Sequence, residues 1–276
     1  MKKNDVLKAN IELHTQLSCS YKEAEPHYKP ENVQRVRNVL KTISGNGSSK
    51  RLLDVGCGMG FIIDIAKEFY QEICGVDITP AMIEKVNKEC KNCQIDLRIA
   101  EAEDLPFENN SFDTVSAFAF LHHLYDLRPA LEEIFRVLKK GGILYSDTDP
   151  NFYFWQSFNN IDQDKKYSDI VDREINGINY KDKELKDKYN VEPYVLNTAE
   201  SLKHKYGGFK EDEIKELLYS IGFSKVEINY EWFLGEAKLL HRINNDKMMQ
   251  EFRDHLKEML PLSRHLFKYI QIFAKK

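Results

Sequence analysis

The chain has 276 residues, of which 42% are hydrophobic and 30% are charged. Its 40 lysines and arginines are matched by 44 aspartates and glutamates, so the net charge of −4 does not favour nucleic acid as a main partner. No stretch approaches the roughly 20 apolar residues of a membrane span, and the charged N-terminus is unlike a signal peptide. Five scattered cysteines argue against a disulfide framework, so we interpret Cys90 and Cys93 as free thiols and expect a cytoplasmic protein.

The first 50 residues are predicted to form an N-terminal lid arm followed by one helix. Residues 1–30 are polar and are interrupted by Pro26 and Pro30. From Pro30 onward apolar residues recur at helical spacing, at Val33, Val36, Leu40 and Ile43. The arm carries three side chains that could lie over a ligand, Tyr21, His27 and Tyr28.

Residues 51–150 alternate between strand and helix patterns. Short apolar runs predict strands at 51–55, 72–77, 94–100, 112–118 and 143–147. Helices are predicted at 61–70, from Pro80 with Thr79 as the N-cap, and through residues 130–138 up to Gly141-Gly142. This alternation indicates an α/β fold with a doubly wound, Rossmann-like, mostly parallel sheet. Two further strand patterns after residue 222 make the sheet seven-stranded.

The alternation stops after residue 150, where five aromatic residues within 151–158 precede a charge-rich stretch. The aromatic cluster either packs as core or lines a pocket for an apolar or planar acceptor. We therefore expect residues 51–150 to form a ligand-binding core and residues 151–210 to form a helical cap insertion. Residues 211–276 complete the sheet and contain a second helical insertion at 236–264.

The stretch LLDVGCGMGF, residues 52–61, places glycines at every second position directly after the first strand. In a parallel sheet this turn lies at the edge where ligands bind. Gly56 permits a tight turn, Gly58 lets a ligand approach the backbone, and Gly60 lets the next helix approach the strand. The dinucleotide fingerprint would place its third glycine at position 61, where this chain has Phe61.

Two acidic residues give further information about the ligand. Asp54 lies two residues before Gly56, where a carboxylate would repel a pyrophosphate and attract an amino group. Asp77 ends the second strand, 21 residues after Gly56, and its two oxygens can accept hydrogen bonds from two ribose hydroxyls. The loop is therefore predicted to bind a cationic, amine-bearing nucleoside.

Five motifs follow one another along this region: DVGCGMG (54–60), GVDIT (75–79), AEAEDLPF (100–107), SFDTV (111–115) and LKKGGI (138–143). This succession resembles the class I S-adenosylmethionine-dependent methyltransferases, above all the small-molecule branch that includes the ubiquinone and menaquinone C-methyltransferases. The resemblance is strong over residues 50–148 and weaker over 211–230 and the last ten residues. It implies S-adenosylmethionine as the cofactor and in-line displacement of its methyl group to a small-molecule acceptor.

The resemblance also implies roles for individual residues. The methionine part would lie against Gly56, Cys57, Gly58 and Gly60, with Asp54 near the ammonium group and Asp77 on the ribose. Phe118 and Ala119 would line the sulfonium. Contacts with the adenine are implied for Ile78, Met82, Glu101, Ala102 and Glu103, although Glu101 replaces the aspartate that is usual in the family.

Three side chains are candidates for a general base if the acceptor is a hydroxyl: His123, Tyr21 and His27. His123 can equally be structural, and His122 more readily so. An amine or an activated carbon would need no strong base. The oxygen donors of Asp147, Asp149 and Asn151 are interpreted as a solvated strand end, so no metal site is predicted.

The preferred interpretation is a methyltransferase of small molecules. Two other functions are compatible with the same residues: an NAD-dependent oxidoreductase, which shares the first glycines and the position of Asp77, and a protein that binds S-adenosylmethionine without transferring its methyl group. Neither nucleic acid nor a membrane span is expected, and the oligomeric state is left open.

Overall fold

The fold was analysed in a computed structural model, which describes residues 1–45, 50–162, 165–179, 181–236 and 246–276. Its strands form one seven-stranded sheet. The strands are β1 (Arg51–Val55), β2 (Glu72–Asp77), β3 (Gln94–Ile99), β4 (Phe112–Phe118), β5 (Leu138–Pro150), β6 (Lys225–Phe233) and β7 (Phe267–Lys275). The prediction of a seven-stranded, mostly parallel α/β sheet is confirmed.

The strand order in the sheet is β3-β2-β1-β4-β5-β7-β6. Strands β1 to β5 are parallel, and β7 runs antiparallel to both of its neighbours. The order reverses between β1 and β4, so the loops after these strands diverge and leave a crevice at their carboxyl ends. Ligands of open α/β sheets bind at such a crevice.

Helices precede the first strand, connect most of the strands and form the segment between β5 and β6. They are α1 (Lys3–Leu17), α2 (Tyr21–Ala24), α3 (Pro30–Ser44), α4 (Phe61–Ala66), α5 (Pro80–Ile83), α6 (Leu127–Val137), α7 (Phe152–Phe158), α8 (Asp169–Asn179), α9 (Lys181–Tyr189), α10 (Pro193–Ala199), α11 (Ser201–His204), α12 (Glu211–Ile221) and α13 (Asp246–Glu258). Short 3-10 turns lie at Pro26–Tyr28, Leu121–His123 and Leu262–Leu266. No helix in the described ranges has the length and apolar content that crossing a bilayer requires.

Alternation along the buried strands sends successive side chains to opposite faces of the sheet. Leu52 packs with α3 and α4, whereas its neighbour Leu53 belongs to the cluster that contains α6 and α12. Both leucines are fully buried. The two apolar clusters thus cover both faces of the sheet and fix the strand ends at which the glycine loop lies.

The N-terminal segment differs from its prediction. Residues 3–17 form a helix instead of a polar arm, with Val6, Leu13 and Leu17 buried. Leu13 and Leu17 pack with Val195 and Leu196 of α10. The prediction of an arm was wrong because the apolar face of α1 is narrow, and its partner lies about 180 residues further along the chain.

Two local predictions were also wrong, those for the end of α6 and for the two cysteines, and one was confirmed. Helix α6 ends at Val137, so Gly141 lies inside the long strand β5 instead of ending the helix. Thr79 is the N-cap of α5, which begins at Pro80 as predicted, although its side chain makes no capping hydrogen bond. Cys90 and Cys93 are joined by a disulfide rather than being free thiols. The predicted helical insertion at 236–264 is described only from residue 246, and residues 237–245 lie outside the described ranges.

Candidate functional site

The glycine loop between β1 and α4 is held by the end of β2. The backbone N–H groups of Gly56 and Cys57 both donate to the Val76 carbonyl oxygen at 2.9 Å. The N–H of Gly58 donates to Asp77 Oδ2 at 2.9 Å, and that of Thr79 donates to Asp77 Oδ1 at 2.8 Å. Asp77 therefore joins the first two strand ends. Because each carboxylate oxygen has a second lone pair, the side chain retains acceptor capacity for a ligand.

Gly56 and Gly58 have different reasons to be glycine. Both have positive φ angles, of 70° and 50°. A Cβ at Gly56 would lie 2.0 Å from the ring of Phe120, whereas a Cβ at Gly58 would have no heavy atom within 4 Å. Gly56 is thus required by packing, while the Gly58 backbone borders open space. A Cβ at Gly60 would lie 2.8 Å from a side-chain carbon of Val86, so packing also explains the glycine at this position.

A cavity of about 70 Å³ lies beside this loop at the carboxyl ends of the strands. The predicted cofactor residues that line it are Gly56, Gly58, Asp77, Ile78, Met82, Ala102, Glu103, Phe118 and Ala119. Helix α1 forms the facing wall, with Val6, Asn10 and His14 among its lining residues.

Glu101 is not among the residues that line this cavity. Its carboxylate accepts a hydrogen bond from Lys3 Nζ at 2.8 Å and is 45% exposed. The same ammonium lies 3.3 Å from Glu103 Oε1, whose side chain is 9% exposed. Lys3 therefore fastens the start of α1 to the loop after β3, with Glu103 as the more buried of the two acids.

Asp54 lines a smaller cavity of about 30 Å³ that shares Gly56, Gly58 and Phe118 with the first. The carboxyl is buried, and Ser116 Oγ donates to its Oδ1 at 2.7 Å. Burial, together with the charge of Asp77, raises the pKa of Asp54 to about 7 in spite of the hydrogen bond from Ser116, which lowers it. A cation bound here would stabilise the ionised carboxylate. Burial also raises the pKa of the Cys57 thiol, so Cys57 is no nucleophile at neutral pH.

Aromatic side chains form the wall opposite Asp54. The His27 ring lies 4.9 Å from the ring of Phe61 and 5.5 Å from that of Phe118, measured between centroids. Tyr21 lies 5.8 Å from His27 and lines all three cavities. Burial raises the pKa of Tyr21, so its phenol stays protonated at neutral pH. The structure thus brings Tyr21 and His27 of the N-terminal segment to the glycine loop.

A larger cavity of about 200 Å³ adjoins the first, and both are lined by His14, Tyr21, Ala119 and His123. Its remaining wall includes polar groups of His122, Glu200 and Lys203, together with Leu13, Leu17, Leu185, Leu196 and Trp232. The apolar surface with a few polar groups is typical of a small-molecule site. Neither α1 nor Glu200 was predicted to contribute.

The two adjacent histidines have different surroundings. His122 Nδ1 lies 2.9 Å from Asp149 Oδ1, and the backbone N–H of His122 donates to the same oxygen at 3.1 Å. Burial lowers the pKa of His123 well below its usual value, and the neighbouring rings of His122 and His14 lower it further. His123 is therefore neutral at pH 7. The ring of His14 lies 5.0 Å from that of His123.

The end of β5 is buried instead of solvated, which corrects the interpretation of Asp147, Asp149 and Asn151. All three are 0% exposed. Asp147 Oδ2 accepts hydrogen bonds from Arg35 at 2.6 Å, Tyr145 at 2.7 Å and Gln271 at 2.8 Å. The Asn151 amide donates to two backbone carbonyl oxygens. These donors and acceptors are engaged in joining β5 to its neighbours.

Comparisons with known proteins indicate the kind of domain that contains the glycine loop. Residues 53–146 match a family model described as a methyltransferase domain. The ubiquinone/menaquinone biosynthesis C-methyltransferase of Citrifermentans bemidjiense is 38% identical over 117 residues, which are 38% of this chain and 48% of that protein. An uncharacterized methyltransferase of Bacillus subtilis is 35% identical over 95 residues, 33% of this chain and 38% of that protein. The chain spans less than half the length of these curated relatives.

Two solved structures share the fold over most of the chain. A SAM-dependent methyltransferase from Archaeoglobus fulgidus superposes with a TM-score of 0.52 at 20% identity, covering 88% of this chain and 92% of that one. The phosphoethanolamine N-methyltransferase 2 of Haemonchus contortus, in complex with phosphomonomethylethanolamine and S-adenosylhomocysteine, gives 0.53 at 20% identity and covers 88% and 52%. At these identities the likeness concerns the fold alone.

Proposed function

We propose, from the premise that residues 53–146 belong to the class I S-adenosylmethionine-dependent methyltransferase family, that this chain transfers a methyl group to a small-molecule acceptor by in-line displacement. S-adenosylmethionine is the cofactor of this domain, and when bound it supplies a methyl group activated by a positively charged sulfur. The observation that carries the proposal is the contact between two cavities: the one beside the glycine loop and the larger one share His14, Tyr21, Ala119 and His123.

The residues beside the glycine loop fit this cofactor. Asp54, Asp77 and Glu103 supply negative charge in three parts of the site, which suits a ligand with an ammonium group and ribose hydroxyls. The open backbone at Gly58 admits the methionine part, with Gly56 and Cys57 beside it. Ile78, Met82 and Ala102 offer an apolar slot for the adenine, and Ala119 lies where this cavity meets the second one.

The chain's own contribution to the reaction is to position the acceptor and exclude water. The larger cavity, of about 200 Å³, suits a small-molecule acceptor. Holding two reactants in a productive geometry contributes up to roughly 7–11 kcal/mol to catalysis. Where the acceptor is a hydroxyl, His123, which is neutral because burial lowers its pKa, can accept the proton, and His27 in the wall of the same cavity is a second candidate. Tyr21, whose pKa is raised by burial, acts as a hydrogen-bond donor rather than a base.

The wall of the larger cavity also supports the division proposed from the sequence. Residues 1–50 contribute the lid, residues 51–150 the doubly wound cofactor-binding core, and residues 151–210 a helical cap. Residues 211–276 complete the sheet. The cap helices α9 and α10 bring Leu185 and Leu196 to the same cavity as Leu13 of α1.

Calorimetry with S-adenosylhomocysteine and NAD tests the cofactor assignment. We expect micromolar binding of S-adenosylhomocysteine and none of NAD. Asp77→Ala removes a charged hydrogen-bond acceptor, so the affinity of this variant for S-adenosylhomocysteine should fall about 10- to 100-fold. Asp96→Ala, which removes an exposed carboxylate paired with Arg98 on β3, is the matched control and should bind normally. Tight NAD binding, or an unchanged Asp77→Ala, would contradict the assignment.

Transfer itself is tested with S-adenosylmethionine carrying a labelled methyl group and a size-fractionated cell extract. The label should enter compounds small enough to pass an ultrafiltration membrane. Asp77→Ala should abolish the incorporation, whereas Asp96→Ala should not. Label recovered only in protein or nucleic acid would contradict a small-molecule acceptor. A protein that binds the cofactor but labels nothing would support a binding role without methyl transfer.

A further inference from the structure

Three potential metal ligands converge in the larger cavity. His122, His123 and Glu200 each offer one ligating atom, and these atoms lie within 4.8 Å of one another. All three residues line the cavity. The histidines belong to the 3-10 turn after β4, while Glu200 lies between α10 and α11. The cluster is therefore assembled by the fold from segments almost 80 residues apart.

The surroundings of His122 are those of a metal ligand. Its Nδ1 lies 2.9 Å from Asp149 Oδ1, and Asp149 Oδ2 accepts a hydrogen bond from Ser146 Oγ at 2.6 Å. Metal-binding histidines usually donate their other ring N–H to a carboxylate, which fixes the tautomer and the ring orientation. With Nδ1 engaged by Asp149, the lone pair of His122 is on Nε2.

His123 provides an independent observation. Its Nδ1 is buried and has no hydrogen-bond partner in the part of the chain that the structure describes. A buried polar atom without a partner is costly, and a bound ligand would remove that cost. The backbone of His123 is also fixed, because Asn10 Nδ2 donates to the carbonyl oxygens of His123 at 3.0 Å and of Ala199 at 3.4 Å. Asn10 thus ties together the two segments that supply the cluster.

The Glu200 carboxylate already contacts a side-chain cation, which would compete with a metal ion. Lys203 Nζ lies 2.5 Å from Glu200 Oε2, and His204 Nε2 lies 3.4 Å from the same oxygen. The carboxylate is 8% exposed. A metal ion would take over part of the charge compensation that Lys203 now supplies. Removing the Lys203 ammonium should therefore strengthen metal binding.

We propose that His122, His123 and Glu200 bind a divalent transition-metal ion of the zinc class inside the larger cavity. Two imidazoles with one carboxylate suit Zn²⁺, Co²⁺ or Fe²⁺, whereas Mg²⁺ and Ca²⁺ prefer all-oxygen sites. Three protein ligands leave a coordination position open, as in catalytic rather than structural sites. If the proposed function is right, this position faces the acceptor, and an acceptor hydroxyl bound there would lose its proton more readily. His123 would then act as a metal ligand and not as the base, which leaves His27 in the cavity wall to accept the proton. This proposal differs from the sequence-based expectation that the chain holds no metal.

The test is a titration of the whole chain with Co²⁺, followed by visible absorption, and with Zn²⁺, followed by calorimetry, both without cofactor or acceptor. One equivalent should bind. Glu200→Gln and His122→Ala should weaken binding at least tenfold, and Asp149→Asn by about 10- to 100-fold. Lys203→Met should tighten binding. His265→Gln, which removes a histidine bonded to Ser157 outside the cavity, is the matched control and should not change the affinity.

The outcomes separate the metal site from the proposed function. Absence of stoichiometric binding, or equal losses in Glu200→Gln and His265→Gln, would overturn the metal site. S-adenosylhomocysteine binding is measured on the same samples. A protein that binds the metal but does not bind S-adenosylhomocysteine would overturn the cofactor assignment alone. Circular dichroism identifies variants that fail to fold. Glu200→Gln, an isosteric change between two helices, decides the test if His122→Ala does not fold. Binding that disappears in Cys19→Ser would assign the ion to that exposed thiol and overturn the proposal.

Discussion

The buried carboxyl of Asp54 should make the stability of the ligand-free protein depend on pH in an unusual direction. Burial raises its folded-state pKa from 3.8 to about 7. Between these values the folded protein holds a proton that the unfolded chain has released. Because the folded state binds more protons there, the free energy of unfolding decreases as pH rises from about 4 to about 7. Most native carboxyls, whose pKa is lowered, have the opposite effect.

The size of this effect follows from the shift. A difference of about three pH units corresponds to on the order of 4 kcal/mol at 1.36 kcal/mol per unit. Asp54→Asn removes the titration and keeps an oxygen that can accept the hydrogen bond from Ser116. We therefore expect Asp54→Asn to approach wild-type stability at about pH 4 and to exceed it by up to that amount above pH 7.

Urea-induced unfolding of both proteins at a series of pH values measures this difference, in which the contributions of all other groups cancel. Calorimetry adds a second measurement, because a cationic ligand favours the ionised carboxylate. S-adenosylhomocysteine should bind wild type more tightly as pH rises toward about 7 and should release a proton on binding below it. Asp54→Asn should bind weakly at every pH. A stability difference that does not change with pH would refute the burial argument.

Two further predictions concern the glycine loop and the ion pair behind β5. Gly58→Ala should fold with a loss of about 1–2 kcal/mol for the left-handed backbone and should lose cofactor affinity. Gly56→Ala should fail to fold, because its Cβ would overlap the ring of Phe120. Thermal unfolding and calorimetry distinguish the two variants, and equal behaviour would contradict the proposal that the ligand lies on the open side of Gly58. Arg35→Met should destabilise the protein by about 3–5 kcal/mol in urea unfolding because it leaves buried Asp147 without a cation. Arg37→Met, which breaks an exposed pair, should cost less than about 1 kcal/mol, and a comparable loss would show that burial is not the cause.

The sequence predicted the sheet well because its central strands are fully buried and are separated by clear turns. The bounds of β1, β2 and β4 match the prediction, and each is a short apolar run that ends at a loop. The end of α6 was missed for a tertiary reason. Leu138 enters the sheet by pairing with Phe112, so the strand begins before the glycine pair that would otherwise end a helix.

The candidate site was predictable only where one loop supplies it. Asp54, Gly58 and Asp77 could be inferred because they belong to one strand-loop-helix unit and the strand that follows. Asn10 and Glu200 have no local pattern, and they reach the site only when α1 packs on α10. Contacts of this kind depend on packing between distant segments, which residue spacing in a single sequence does not encode.

The two cavities are built from different parts of the chain. The glycine loop and strand ends of the first lie inside residues 53–146, but among the described residues that line the larger cavity only Ala119, His122 and His123 do so. If the proposed function is right, substitutions in the remaining wall can therefore alter which acceptor is admitted while the half that binds the nucleoside stays intact. Selectivity in such a protein can diversify through the segments outside residues 53–146, and a common core can serve enzymes with unrelated substrates.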